Sequence, residues 1–208
     1  MRRVFMGAAL LLGMVSVGSA ETITFSGASG GPATYTEGGF VMTNVENSIY
    51  YSTTGGNPGG YVTIDPSAIT DVFGIMTVQE SGGGEFSFAG LDMATFTLND
   101  PGVPVYVSVD GYLDGTKVGD DTYYLSAVEG STANWTTETA TSPGLAGVKV
   151  DELYIYLNFM NDHYFYGSAM DNLVLDPIAT PEPGSLWLLG TGTAGVFGAM
   201  RGRVRRRG

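Results

Sequence analysis

The chain has 208 residues, no cysteine and a formal net charge of −12. Residues 21–177 contain two lysines and twenty acidic residues, a formal charge of −18, whereas most of the basic residues lie at the two ends. A domain with this charge repels phosphate backbones, which argues against nucleic-acid binding. Without cysteine the chain has neither disulfides nor a thiolate nucleophile, so apolar packing alone must stabilise its fold.

The first twenty residues have the organisation of a secretory signal peptide. Two arginines precede the apolar run Val4–Val17, and three small residues then end the segment at Ala20. The apolar run is shorter than the ~20 residues of a membrane-spanning helix. We therefore expect a signal peptide at residues 1–20, recognised by the secretion machinery and cleaved between Ala20 and Glu21.

The last residues combine a proline-containing linker, an apolar segment and a basic end. The linker, residues 178–184, contains Pro181, Glu182 and Pro183, and five arginines lie in residues 201–208. As a helix, residues 185–200 would span about 24 Å, against ~30 Å for a bilayer core. Arginines after such a segment stay in the cytoplasm. We expect a short transmembrane helix at 185–200 and a basic cytoplasmic tail at 201–208.

This order of Pro181-Glu182-Pro183, apolar segment and arginine cluster resembles the PEP-CTERM sorting signal. In that family an exosortase, a membrane protease-transpeptidase, recognises the Pro-Glu-Pro motif and processes the chain near it. The resemblance implies a precursor anchored in the inner membrane of a Gram-negative bacterium, and a product at the cell surface or in the extracellular matrix. Extracellular polysaccharide is then a further candidate partner.

Between the two ends, residues 21–177 show short alternating runs rich in Val, Ile, Thr, Tyr and Phe, separated by turns containing Gly and Pro. The predicted strands are 23–25, 38–45, 61–64, 72–78, 85–90, 93–98, 105–113, 122–128, 149–159 and 171–175. This pattern predicts an all-β fold, an antiparallel β-sandwich of the jelly-roll type, forming a single domain.

Local patterns predict a turn, a loop and one strand pairing. Asp114-Gly115 is typical of a tight hairpin turn, and residues 55–60 are expected to form a long loop. The closing segment "AMDNLVL" resembles jelly-roll domains of the carbohydrate-binding-module type. That resemblance implies that the strand around Asp171 and Asn172 lies beside the first strand, at Ile23–Phe25.

Calcium is a candidate cofactor, because acidic residues gather along the predicted hairpin and Ca²⁺ takes six to eight oxygen ligands. The resemblance to jelly-roll binding modules also implies a structural calcium. The spacing of the acids is not that of an EF-hand, and solvated acidic turns are the alternative. The candidate ligands are Asp110, Asp114, Asp120, Asp121 and Asp171.

A sugar-binding site is also predicted, because aromatic rings stack on the C–H faces of sugars while polar side chains fix the hydroxyl groups. The candidate residues are Trp135, Asn161, Asp162, His163, Tyr164 and Tyr166. The alternative is that tyrosines fill sheet faces, as their strand propensity favours.

Catalysis is not predicted. One histidine without cysteine provides too few ligands for most zinc sites, and no pattern singles out a pair of carboxylates for glycoside hydrolysis. The first hypothesis is therefore a non-enzymatic exported protein with a structural or adhesive role in the exopolysaccharide or biofilm layer. The second is a carbohydrate-binding module, with calcium as a candidate stabiliser, and the third is a glycoside-active enzyme.

Overall fold

The computed structural model describes residues 19–45, 49–56, 59–64, 73–97, 104–126, 135–161 and 165–178, which contain thirteen β-strands. The strands are β1 (Glu21–Ile23), β2 (Thr34–Glu37), β3 (Phe40–Val45), β4 (Ile49–Gly56), β5 (Gly59–Ile64), β6 (Phe73–Glu80), β7 (Phe86–Thr97), β8 (Pro104–Leu113), β9 (Thr116–Ser126), β10 (Thr136–Thr139), β11 (Lys149–Val150), β12 (Glu152–Asn161) and β13 (Phe165–Pro177).

The strands form two antiparallel sheets. The front sheet has the order β2-β3-β6-β12-β8-β9. In the back sheet β7 pairs with β10, β11 and β13, while β13 also pairs with β1 and β5, and β5 with β4. The two sheets are joined where the end of β12 pairs with the start of β13, from Phe159 opposite Gly167 to Asn161 opposite Phe165.

The core lies between the two sheets, because each strand turns alternate side chains inward. In β3 and in most of β12, buried residues alternate strictly with partly exposed ones. Phe40 of the front sheet meets Phe86 of the back sheet edge-on, with ring centroids 5.1 Å apart. The Tyr51 hydroxyl donates a hydrogen bond of 3.4 Å to Met76 Sδ and so satisfies its polar group inside the core.

The predicted all-β antiparallel sandwich is confirmed, with differences in the strands. The predicted strands 85–90 and 93–98 form one strand, β7, whose residues 86, 88 and 90–95 are buried, so alternation is lost in its centre. β10 and β13 pair with the two edges of this strand, so it is an interior strand of the back sheet. Three strands were not predicted: β2, β4 and β10, of which β2 and β10 are four-residue strands rich in Thr and Glu.

The prediction of a long loop at residues 55–60 is wrong. β4 continues to Gly56 and β5 begins at Gly59, and these two glycines pair across the hairpin. A Cβ atom at Gly60 would collide with the backbone of Phe25. The glycines therefore allow two backbones to approach closely. From sequence alone, the same glycine-rich stretch is typical of a flexible loop.

The predicted hairpin turn at Asp114-Gly115 and the predicted pairing of the first strand with the closing strand are both confirmed. Asp114 and Gly115 both have positive φ, 51° and 73°, as a type I′ turn requires, and they join β8 to β9. β1 pairs with β13, and Ile23 lies opposite Leu173. The jelly-roll type of connection stays a prediction.

The chain divides into two units, of which Gly18–Ile178 contains all the described residues. The other unit, Met1–Val17 with Ala179–Gly208, lies outside them, as do the predicted transmembrane helix and most of the predicted signal peptide. Within the part of the chain that the structure describes, no helix has the length and apolar character needed to cross a bilayer.

Candidate functional site

The outward side of the front sheet carries a group of tyrosines. β8 places Val105, Val107 and Val109 in the core, so the residues between them face outward. In β12 the side chains of Leu153 and Ile155 are buried in the same way. We call the outward surface of β6, β12, β8 and β9 the tyrosine face. Its members are Tyr106, Ser108, Asp110, Tyr112, Lys117, Asp120, Thr122, Tyr124, Glu152, Tyr154, Tyr156, Ile75, Thr77 and Gln79.

Strand register brings the tyrosine rings together. Tyr106 lies opposite Tyr124, and their ring centroids are 5.8 Å apart. Tyr112 and Tyr154 lie on neighbouring strands, with centroids 5.1 Å apart. Tyr154 and Tyr156 are two residues apart on β12, and their rings are stacked at 6.5 Å with an interplanar angle of 24°. Tyr124 is 66% exposed and the other four rings are partly exposed, so the group offers aromatic surface to solvent.

Polar groups lie between the rings. Ser108 faces Thr122 on β9, with 3.0 Å between the hydroxyl oxygens, and it faces Tyr156 on β12. At the other end of the face, Gln79 Nε2 donates a hydrogen bond of 3.2 Å to Glu152 Oε1. The strands hold these donors and acceptors at fixed positions beside the rings.

A charged cluster lies next to the tyrosines. Lys117 Nζ is 3.0 Å from Asp110 Oδ1 and 3.5 Å from Asp120 Oδ1. The hydrogen bond to Asp110 is the main cause of a raised Lys117 pKa, and the negative charges of both aspartates add to it. Burial, with a contribution from the charge of Asp110, raises the pKa of Tyr156. Burial and then the charge of Asp151 raise the pKa of Glu152. The face therefore holds an ammonium group among carboxylates and phenol rings.

The five predicted calcium ligands lie in different surroundings. Asp110 and Asp120 are bound to Lys117. Asp121 is buried and accepts hydrogen bonds from the backbone N–H groups of Thr141 and Leu145. Asp114 is exposed in the hairpin turn, where its backbone N–H donates to Asp151. The described residues contain no group of three or more acidic or histidine side chains placed to hold a metal ion.

Asp171, the fifth predicted ligand, lies in the back sheet. It is fully buried and directly opposite Asp92, which is 6% exposed. Asp171 Oδ1 accepts a hydrogen bond of 2.7 Å from the Asn172 backbone N–H, and the Asn172 side-chain amide donates one of 2.8 Å to Asp92 Oδ2. Two carboxylates and an amide already bonded to them do not by themselves provide the six to eight oxygen ligands of calcium.

Three of the six predicted sugar-binding residues lie outside the described part of the chain. Asp162, His163 and Tyr164 fall between β12 and β13, and only the backbones of Asn161 and Tyr166 are described. Trp135 is described, and its ring lies 6.2 Å from that of Tyr61. It precedes β10 and so approaches the back sheet, away from the tyrosine face.

Comparisons with known proteins give one family match. Residues 179–207 match the family model of the PEP-CTERM protein-sorting motif. The chain ends in a PEP-CTERM motif. This motif implies that the protein is exported and that an exosortase processes it. The predicted motif residues Pro181, Glu182 and Pro183 lie within the matched segment and outside the described residues.

Three solved structures are similar to this chain at low sequence identity. TmCBM61 in complex with β-1,4-galactotriose is 12% identical with a TM-score of 0.37, covering 74% of this chain and 94% of that chain. A DUF4465 family protein from Bacteroides caccae is 13% identical with a TM-score of 0.40, covering 82% and 97%. The family 11 carbohydrate-binding module of the Clostridium thermocellum cellulase Lic26A-Cel5E is 9% identical with a TM-score of 0.31, covering 80% and 99%. No curated protein matches the chain in sequence.

Sequence reasoning missed the tyrosine face of this PEP-CTERM protein, although the signal was present. In "VYVSVDGYL" and "ELYIYL" polar or aromatic residues alternate with aliphatic ones, so the tyrosines of each segment occupy one face of its strand. What the sequence lacked was the pairing of β8 with β12, which brings the two sets of tyrosines side by side.

Proposed function

We propose that this is a non-enzymatic adhesive protein of the extracellular layer, and that its sandwich domain binds extracellular polysaccharide through the tyrosine face. The observation that carries the proposal is the set of five tyrosines on one outward sheet face, with hydroxyl, amide and carboxylate groups between them.

The geometry suits an extended polymer. Rings such as Tyr154 and Tyr156 follow each other along β12, while Tyr106 and Tyr124 extend the aromatic surface across β8 and β9. Sugar C–H faces can stack on these rings, and Ser108 and Thr122 can pair with hydroxyl groups of the sugar. Because the side chains belong to paired strands, little conformational freedom is lost on binding, which favours affinity.

A purely structural role is the alternative, in which the tyrosines only cover the sheet. Tyrosine favours half-buried strand positions, and neighbouring rings stabilise a sheet by ~0.5–1.5 kcal/mol per pair. The two hypotheses differ in one respect. Only a binding face loses affinity for polysaccharide when rings are removed without loss of the fold.

The cellular part of the proposal follows the PEP-CTERM motif. We propose that the mature chain begins at Glu21, and that the precursor is held in the inner membrane of a Gram-negative bacterium until exosortase acts near Pro181–Pro183. The product then reaches the cell surface or the matrix. Intact-mass spectrometry of the native protein tests this, and a product retaining residues 1–20 or the whole basic tail contradicts it.

Affinity electrophoresis tests the binding proposal. The mature exported protein is run through native gels with and without the producing organism's own polysaccharide, beside the double variant Tyr154→Ala/Tyr156→Ala. Tyr50→Ala is the matched control, because Tyr50 is 40% exposed on a back-sheet strand. We expect polysaccharide to slow the wild type and Tyr50→Ala but not the double variant. Equal mobility of all three in polysaccharide gels contradicts the proposal, as does release of reducing ends on incubation.

A further inference from the structure

The two lysines of residues 21–177 are both held by acidic side chains. Lys149 Nζ lies 3.1 Å from Glu85 Oε2, and Lys117 lies between Asp110 and Asp120 on the tyrosine face. The face and its edge carry four carboxylates, those of Asp110, Asp120, Asp151 and Glu152, against the single ammonium of Lys117. Its local formal charge is therefore −3, within a region of formal charge −18.

The Lys117 site is an internal example of an ammonium group bound on this surface. An ammonium group lies 3.0 Å from Asp110, whose cross-strand neighbour on β12 is Tyr154. Carboxylates pair with a cation, and tyrosine rings attract a cation placed over their faces. Asp120 remains 58% exposed beside Lys117, so an external ammonium can reach it from solvent.

We infer that the polysaccharide bound by the tyrosine face is cationic, a polymer of amino sugars with free amino groups. This inference rests on the proposed function and adds the chemical class of the ligand. Sugar rings stack on the tyrosines, while their ammonium groups pair with Asp110, Asp120 and Glu152. A polymer of uronic acids is repelled by the same charges, and a neutral polymer gains the stacking without the ion pairs.

The overall charge supports the same ligand class. A strongly negative domain raises the local concentration of a cationic polymer and speeds its association, and salt weakens this effect. Ion pairing at the tyrosine face then selects the position of the polymer on the protein.

Calorimetry with two oligosaccharides of equal length tests the inference. The mature protein is titrated at pH 6 and low salt with a β-1,4-linked glucosamine hexamer and with its fully N-acetylated counterpart. We expect roughly tenfold tighter binding of the glucosamine hexamer, as three partly exposed ion pairs would give, and a smaller ratio at high salt. Equal or tighter binding of the N-acetylated hexamer overturns the inference while the proposed function stands. Binding of neither hexamer, together with no retardation by native polysaccharide, overturns both.

Charge variants separate the tyrosine face from the overall charge. Asp120→Asn and Glu85→Gln each remove one negative charge and one partner of a lysine, but Glu85 precedes β7 in the back sheet. We expect Asp120→Asn to weaken binding of the glucosamine hexamer by about threefold to fivefold, in line with an exposed ion pair, and Glu85→Gln to leave it within twofold. Lys117→Met should strengthen binding, because it removes the competing ammonium. Equal effects of the two acidic variants, or weaker binding by Lys117→Met, contradict the assignment.

Discussion

Asp121 on β9 accepts a hydrogen bond of 3.0 Å from the backbone N–H of Leu145. The same carboxylate also accepts bonds from the backbone N–H and the hydroxyl of Thr141. Asp121 is 4% exposed and Leu145 is fully buried. The Leu145 side chain occupies the space beside Gly111, where a Cβ atom would collide with it. One buried carboxylate therefore holds the segment 141–145 against the β8–β9 hairpin and keeps Leu145 in the core.

Replacement of Asp121 by alanine should destabilise the fold by about 2–4 kcal/mol, because it leaves the buried N–H of Leu145 and the partly buried N–H of Thr141 without their acceptor. Asp120→Asn is the control, since the neighbouring carboxylate is exposed and its ion pair contributes ~1 kcal/mol or less. Urea denaturation measures both variants. A loss below about 0.5 kcal/mol for Asp121→Ala would mean that this carboxylate does not hold the segment.

Glu37 has an equivalent role at the start of the domain. Its carboxylate accepts hydrogen bonds from the backbone N–H groups of Thr24 and Phe25, at 3.1 and 3.0 Å, and from the Tyr35 hydroxyl at 2.7 Å. Glu37→Gln replaces one acceptor oxygen by a donor and should cost about 1–3 kcal/mol. Glu85→Gln, at an exposed glutamate, should change the free energy of unfolding by less than ~1 kcal/mol. Equal midpoints in urea for the two variants would refute this role.

The hairpin turn after β8 depends on the left-handed backbone of Gly115. A Cβ atom there meets no other atom within 4 Å, so the expected cost of Gly115→Ala is conformational, about 1 kcal/mol. Gly82→Ala is a matched control, because its Cβ also has open space and its φ is not positive. Thermal denaturation should show a lower midpoint for Gly115→Ala only. A similar midpoint for both variants would contradict the assigned turn.

Alkaline conditions should destabilise the domain, because the fold raises the pKa of several tyrosines. Burial, followed by the hydrogen bond to Glu37, raises the Tyr35 pKa to about 12, and burial also raises the pKa of Tyr51 and Tyr123. The unfolded chain, with tyrosine pKa values near 10, then loses protons before the folded chain does. The contribution of these tyrosines to stability is therefore complete below pH ~10 and falls as the pH rises towards 12.

Urea denaturation between pH 8 and pH 12 measures this dependence. Tyr35→Phe should reduce the slope above pH 10, because one titrating group is removed, although it also loses the bond to Glu37 at every pH. A free energy of unfolding that stays constant from pH 9 to pH 12 would contradict these pKa directions.

The sequence predicted the fold more fully than the candidate site. Alternating residues marked the strands at 38–45 and 105–113, and Asp114-Gly115 marked the hairpin turn after the second of them, because these signals depend on local conformation. The centre of β7 lacked such a signal because both of its faces are buried. Asp121 shows the same limit for the site. Asp121 was predicted to be a metal ligand because it is an acidic residue in a predicted hairpin. Its hydrogen-bond donors, Thr141 and Leu145, lie twenty or more residues away in the chain.

The tyrosine face could be predicted strand by strand but not as a surface. Tyr154 and Tyr156 occupy one side of β12, as their spacing requires. Their contact with Tyr112 depends on the register between β8 and β12, which is set by long-range packing. Local patterns therefore indicated which residues face outward, and only the sheet order showed that they form one group.

The most direct test of polysaccharide binding by the tyrosine face is an NMR titration of the isotope-labelled mature protein with oligosaccharides prepared from the producing organism's polysaccharide. We expect saturable shifts of the ring signals of Tyr106, Tyr124, Tyr154 and Tyr156 and of the backbone amides of β8, β9 and β12, with Tyr50 and Tyr61 unchanged. Shifts confined to the back sheet, or no shifts at oligosaccharide concentrations that retard the protein in a gel, would contradict the account.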